Sequence, residues 1–270
     1  MHSAATMTPV GPKERFSNRV EEYVRYRPGY PQAIVELLRQ ACGLAPESVV
    51  ADVGCGTGLL ARLFIENGNT VWGVEPNAAM RQAGERLLQG QARFRSVAGS
   101  AEETTLPAAS ADFIVAGQSF HWFDAQAARG EFARVLRPGG WVAVIWNERQ
   151  TNASPFLRSY ETLLRDFGTD YAEVAANYPR TRQMEEFFGP GAFQQRVFHN
   201  EQILDWEGLR GRLLSSSYSP PRGDSRHEPM LAELENIFLV HAENGRVRVA
   251  YDTRVYYGRL AAGGAEAGVR

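Results

Sequence analysis

Hydrophobic positions in this chain follow two alternating rhythms. Short apolar runs fall at Val49–Val53, Thr70–Val74, roughly 92–98, Ala111–Ala116 and Trp141–Trp146. Short runs bounded by turn residues read as buried strands. Between them the apolar positions recur at helical spacing, as at Ile34, Leu37, Leu38 and Cys42 within 31–42. Further helices are expected over 59–67, with Gly68 as C-cap, over 77–88, with Asn77 as N-cap, and over 125–135. Residues 137–140, Arg-Pro-Gly-Gly, read as a tight turn. Beyond Asn147 the rhythm changes. Helices are expected at 155–167, 184–188, 205–214 and 228–243, and a strand at 192–204. The alternation Val247, Val249, Tyr251, Val255, Tyr257 predicts a final hairpin edge of the same sheet. The fold class is α/β: a doubly wound, mostly parallel seven-stranded sheet with a helical cap and an antiparallel C-terminal edge strand. With no repeat and no low-complexity linker, a single domain is expected over 14–260. It divides into an N-terminal lid at 14–45, a core at 46–148, and a cap with the C-terminal strands at 149–260. Residues 1–13 are expected to be disordered and 261–270 frayed.

The first strand carries the chemistry. It leads into Asp52-Val-Gly54-Cys55-Gly56-Thr-Gly58, with glycines at alternate positions just before a helix. A bend without side chains lets backbone N–H groups approach a ligand closely. The spacing G-x-G-x-G is neither the G-x-G-x-x-G of dinucleotide sites nor a P-loop. The second strand ends in Glu75, and an acid there can accept hydrogen bonds from a ribose diol. Loop, helix and acid together point to an adenosine-containing ligand. In open α/β sheets ligands lie at the carboxyl ends of the strands. Polar residues collect there: Glu75-Pro76-Asn77, then 99–103, then 117–123, then Asn147 and Glu148.

Composition narrows the partners. Of 270 residues 44% are hydrophobic and 22% charged, ordinary for a globular chain. A net charge of −2 gives no reason to invoke nucleic acid or an anionic membrane. No apolar run approaches the ~20 residues of a membrane span, and the N-terminus does not read as a signal peptide. Cys42 and Cys55 are the only cysteines, which suits a reducing cytoplasm. Lys13 is the only lysine, so Schiff-base chemistry in the core is not expected. No ligand-spaced His/Cys cluster suggests a metal.

The pattern resembles the class I S-adenosylmethionine-dependent methyltransferases (methyltransferase type 11), and within them the small-molecule branch of the trans-aconitate methyltransferases. The resemblance rests on D-V-G-C-G-T-G (52–58), G-V-E-P (73–76), G-S-A-E (99–102), Q-S-F-H-W-F-D (118–124), L-R-P-G-G (136–140) and Tyr23 to Pro31, ending Y-R-P-G-Y-P. It covers nearly the whole chain and implies a Rossmann-like sheet with S-adenosyl-L-methionine as cofactor. The loop Gly54, Cys55, Gly56, Gly58 would then wrap the methionine part, and Asp52 would meet its amino group. Glu75 would take the ribose hydroxyls, with Pro76 beside the adenine and Met80 nearby. Ser100 and Ala101 would flank the adenine, with Glu102 at its amino group. Gln118 and Ser119 would line the methionine end. Arg27 and Tyr23 would close the site, Arg27 pairing with the cofactor carboxylate.

The expected reaction is in-line transfer of a methyl group to a small-molecule acceptor, at a carboxylate or hydroxyl oxygen. Positioning alone can supply roughly 7–11 kcal/mol of barrier reduction. A carboxylate acceptor needs no base; a phenol or amine would make His121 the first candidate. Tyr23, His121, Trp122, Trp146 and Tyr218 are the candidate substrate-lining residues. Two alternatives stay open at this point: a cofactor-binding regulator without catalysis, and a nicotinamide-dependent oxidoreductase.

Overall fold

The structure, a computed structural model, describes residues 24–176 and 181–261. Its elements in chain order are α1 (Ala33–Cys42), β1 (Val49–Val53), α2 (Leu59–Glu66), β2 (Thr70–Val74), α3 (Ala78–Leu87), β3 (Phe94–Val97), β4 (Ala111–Gly117), a 3₁₀ turn (Phe120–Trp122), α4 (Ala125–Val135) and β5 (Leu136–Arg149). Then come α5 (Pro155–Phe167), α6 (Tyr171–Ala176), α7 (Thr181–Phe188), β6 (Phe193–Leu204), α8 (Trp206–Leu214), α9 (His227–His241) and β7 (Val247–Gly258). The expectations for 1–13 and for the tail beyond 261 fall outside the described residues, as does Tyr23.

One seven-stranded sheet organises the chain, in the order β3-β2-β1-β4-β5-β7-β6. The first five strands pair in parallel, and β7 runs antiparallel to both β5 and β6. The antiparallel C-terminal strand is therefore present, but it is not the edge. It lies between β5 and β6, and β6 forms the border, because β7 is buried along most of its length while β6 is half-exposed. The Arg-Pro-Gly-Gly segment is not an isolated turn either. It is a bulge inside β5: Ala111 pairs with Leu136 and Phe113 already with Trp141. Gly139, at φ +79°, takes the left-handed conformation that the bulge needs.

Alternation along the strands builds an apolar layer on each face. Val50, Phe113, Val115 and Ile145 face α1 and α2 with Ile34, Leu38, Leu60 and Phe64. Ala51, Val53, Ile114, Val142 and Val144 face the other side, with Phe132 of α4 and Phe187 and Phe188 of α7. A third apolar cluster joins α5, α8 and α9 to the start of β7, with Leu157, Leu213, Leu234 and Tyr251. Asn77, Asp124, Ser154 and Asp205 cap their helices through side-chain oxygens that accept backbone N–H groups. The sheet order reverses between β1 and β4, so the residues at their carboxyl ends converge at the switch point.

Candidate active site

The bend after β1 is pinned to its neighbours. The Gly54 and Cys55 amides both donate to the Val74 carbonyl, at 2.8 and 3.1 Å. Gly54, Gly56 and Gly58 have φ of +69°, +57° and +83°. A Cβ at Gly54 would lie 2.6 Å from the Ser119 Cβ, and one at Gly58 2.6 Å from Leu88 Cδ1. At Gly56 the nearest atom is Met80 Cε, at 3.3 Å. The three glycines thus have separate reasons. Gly54 lets the β4 loop close in, Gly56 keeps the bend open above Met80, and Gly58 lets α2 start against Leu88. Ser119 holds the two loops together through its hydroxyl, which donates to the Val53 carbonyl at 3.0 Å.

Glu75 sits opposite the bend. One carboxylate oxygen accepts the Gly56 amide at 2.9 Å and the other the Asn77 amide at 2.8 Å. Arg81 donates to the Glu75 carbonyl at 2.9 Å. Burial raises the Glu75 pKa, while the two amides and Arg81 pull it back. Asp52 lies deeper, on the same face of β1 as Val50 and fully buried. Neither of its oxygens has a hydrogen-bond partner at bonding geometry. Burial pushes its pKa up to about 8; the Ala61 amide opposes this and the charge of Glu75 adds to it. The Cys55 thiol is pushed up by burial and by these same two acids, so it stays protonated.

Pro76 is exposed at the rim and Met80 is buried beneath the bend. After β3 the chain turns tightly, with the Ser100 amide donating to the Glu103 carbonyl at 2.9 Å and Ala101 buried. Glu102 is already engaged: it accepts the Asp124 amide at 3.0 Å, tying this loop to the start of α4.

At the end of β4, Gln118 holds φ +56°, rare for a residue with a side chain. Its amide donates to the Ile145 carbonyl at 3.0 Å and its side chain to the Asn147 carbonyl at 3.1 Å. Those two bonds hold the strained residue in place. His121 follows on the 3₁₀ turn. Its ring meets the Trp146 indole edge-on at 5.0 Å and lies 4.3 Å from that of Trp122. Burial, helped by the Arg27 charge, lowers its pKa to about 4. His121 is therefore a neutral and weakly basic imidazole near pH 7.

Residues 26–30 are strapped across this end of the sheet. Gln202 donates to the Tyr26 carbonyl at 3.0 Å, while Asn147 and Asn200 donate to the Gly29 carbonyl at 3.1 and 2.9 Å. Arg27 donates to the Ser215 carbonyl at 2.9 Å, so it reaches the end of α8. Tyr218 lies just beyond, buried near Arg27, Arg149 and Arg212. The sequence reading passed over Arg149, Arg212, Glu161, Tyr160 and Tyr171, which gather here. None belongs to a motif, and each reads as an ordinary member of a strand end or an amphipathic helix. Among the described residues no group of three His, Cys, Asp or Glu side chains could hold a metal, and no helix is long and apolar enough to cross a membrane.

Comparison with known proteins bears on this geometry. Residues 51–144, from β1 to within β5, match the family described as a methyltransferase domain. An uncharacterised methyltransferase of Schizosaccharomyces pombe is 31% identical over 227 residues, covering 82% of this chain and 86% of that one. The chain belongs to the class I S-adenosylmethionine-dependent methyltransferases. Membership of this methyltransferase family leaves the nicotinamide alternative without support. An uncharacterised methyltransferase of Mycobacterium tuberculosis is 36% identical over 134 residues, and the chain spans about half (52%) of that protein's length. A solved structure from Anaeromyxobacter dehalogenans, assigned as a type II methyltransferase, aligns with a TM-score of 0.64 over 87% of this chain and 98% of that one. At 23% identity it speaks for the fold. The residues present fit the cofactor of the methyltransferase family. Gly56 keeps open the space above Met80 that a Cβ would enter, and Asp52, two residues before Gly54, holds an unpartnered buried carboxyl.

Proposed function

We propose that this methyltransferase transfers a methyl group from S-adenosylmethionine to the oxygen of a small-molecule acceptor, as in the small-molecule branch that the sequence resembles. The observation that carries the cofactor assignment is Asp52, fully buried with both oxygens unpartnered. A buried carboxyl of that kind calls for a cation, and the cofactor's ammonium is one. Glu75, held by the Gly56 and Asn77 amides, keeps lone pairs for a ribose diol. Gly54, Cys55, Gly56 and Gly58 offer backbone around the methionine part, and Gln118 and Ser119 close its other side. Met80, Pro76, Ser100 and Ala101 bound the adenine, whereas Glu102 acts mainly through Asp124.

When bound, the cofactor supplies a methyl group on a good sulfonium leaving group. The protein's share is to align the acceptor and exclude water. His121, Trp122 and Trp146 wall the acceptor side with aromatic surface. His121 is too weak a base to be a strong proton acceptor at neutral pH, which favours an acceptor oxygen that is already anionic. Calorimetry with S-adenosylhomocysteine and a labelled-methyl screen of small carboxylic acids and phenols test this reading. Binding together with methyl ester or ether formation supports it. Absence of any S-adenosylhomocysteine binding overturns it.

A further inference from the structure

Two guanidinium groups lie in the interior between the end of β5, α5 and α8. Arg149 donates to Glu161 at 2.6 Å and to the Tyr171 hydroxyl at 2.8 Å, and its guanidinium lies over the Tyr160 ring at 5.1 Å. Its other terminal nitrogen, Nη1, is buried with no partner. Arg212 is 7% exposed and has no carboxylate partner among the described residues. It donates to the Tyr251 hydroxyl at 3.2 Å and to Ser216 at 3.0 Å. The Tyr160 hydroxyl is also buried without a partner. Glu161 is the carboxylate of this cluster, and besides Arg149 it serves Arg165, whose side chain is largely solvated. Among the described residues, Arg149 thus shares Glu161 with Arg165, while Arg212 is met by hydroxyls alone.

An uncompensated charge in the interior is unfavourable unless something arrives to meet it. The cluster adjoins the methyl-transfer end of the sheet. Arg149 lies beyond Trp146 on β5 but on the opposite face, and the link between the two sides is Arg27, which donates to the Ser215 carbonyl at the end of the helix that carries Arg212. Arg27 lies close enough to both His121 and Tyr218 to shift the titration of each. We propose that Arg149, Arg212, Tyr160 and Tyr218 form a subsite for a carboxylate of the methyl acceptor, which is therefore an anionic small molecule. This proposal rests on the methyltransferase reading above. The two donors left unpartnered, Arg149 Nη1 and the Tyr160 hydroxyl, match the two oxygens of a carboxylate.

The competing reading is a closed structural network in which Tyr218 itself supplies the anion. Burial pushes the Tyr218 pKa up, but Arg212, Arg149 and Arg27 together outweigh it.

The test uses the full chain saturated with S-adenosylhomocysteine. Succinate, citrate and benzoate are titrated by calorimetry against their neutral amides and against inorganic phosphate. The expected result is that one or more of the acids binds about 30-fold or more tighter than its amide. Arg212→Met should abolish that preference while S-adenosylhomocysteine affinity stays within about twofold. Should Arg212→Met not fold, Tyr160→Phe keeps the ring and should weaken acid binding about fivefold or more. The proposal is overturned if acids and amides bind alike, if phosphate outranks every carboxylate, or if both variants keep full acid binding. Tyrosinate absorbance at neutral pH that vanishes in Tyr218→Phe would also overturn it. Failure to bind S-adenosylhomocysteine would instead sink the methyltransferase reading on which the subsite depends.

Discussion

The Gly56 amide donates to the Glu75 carboxylate at 2.9 Å, so the acid at the end of β2 also holds the glycine bend at the end of β1. Its other oxygen takes the Asn77 amide at 2.8 Å, at the cap of α3. One side chain therefore ties together both loops that face the proposed ribose. Glu75→Ala should leave those two amides without their acceptor, lowering stability by about 1–3 kcal/mol. S-adenosylhomocysteine affinity should fall by more than about tenfold, because both the contact and the shape of the bend are lost. Calorimetry and urea denaturation check the two effects separately. An unchanged affinity would remove Glu75 from the site.

Much of this architecture is legible in the sequence, and the reason is local. The strand before Gly54, the cap at Asn77 and the acid at Glu75 are each written within a few residues of one another. The bulge at 137–140 was not, because its residues read equally well as a turn; only pairing with β4 distinguishes the two. The position of β7 was not legible either. Period-two alternation gives a strand but not its neighbours, and burial on both faces shows only after β6 has paired with it. The same limit hid Arg149 and Arg212. A cation in a strand end or a helix reads as solvated until the fold surrounds it with Tyr160, Tyr218 and Tyr251.

Asp52 should make the ligand-free protein less stable as pH rises. Its folded pKa of about 8 lies above the 3.8 of an exposed aspartate, so the folded state binds more protons between those values. The stability it contributes is complete below about pH 4 and is lost as pH climbs through 8. Glu75, also raised, adds a slope of the same sign. Asp52→Asn should flatten this dependence and raise the melting temperature of the empty protein at pH 8, while weakening S-adenosylhomocysteine binding by about tenfold or more. Thermal melts at pH 5 and 8 with and without ligand check both halves. Asp52 should also release a proton on binding the cofactor's ammonium. The binding enthalpy near pH 7 should then vary with buffer in the wild type and not in Asp52→Asn.

His121 acts in the opposite sense. Its folded pKa of about 4 lies below the unfolded value of 6.5, so the unfolded state binds more protons between them. The contribution is full above about pH 6.5 and is lost as pH falls through 4, amounting to about 3 kcal/mol. His121→Phe keeps an aromatic ring against Trp146 without a titrating nitrogen. Its stability should therefore fall less than that of the wild type between pH 7 and pH 4.5, as read from denaturant midpoints. Methyl transfer to a carboxylate should show no histidine limb between pH 6 and 8. A limb near 6.5 that the variant removes would make His121 a working base.

Gly211 decides how closely residues 24–30 approach the site. It lies inside α8, where replacing glycine by alanine ordinarily stabilises by about 1 kcal/mol. Here a Cβ would fall 2.1 Å from Tyr26 Cε2, well inside contact distance. Tyr26 is held by the Gln202 bond to its carbonyl, and Arg27 next to it reaches Ser215. The clash should win, at about 1–3 kcal/mol of overpacking. Gly211→Ala should therefore lower stability rather than raise it, and the displaced strap should weaken acceptor binding more than S-adenosylhomocysteine binding. Removing the ring should restore the ordinary sign: in a Tyr26→Ala background, Gly211→Ala should become neutral or stabilising. A double-mutant cycle by urea denaturation measures this coupling. Additive single effects would mean that Tyr26 does not pack on α8 in solution.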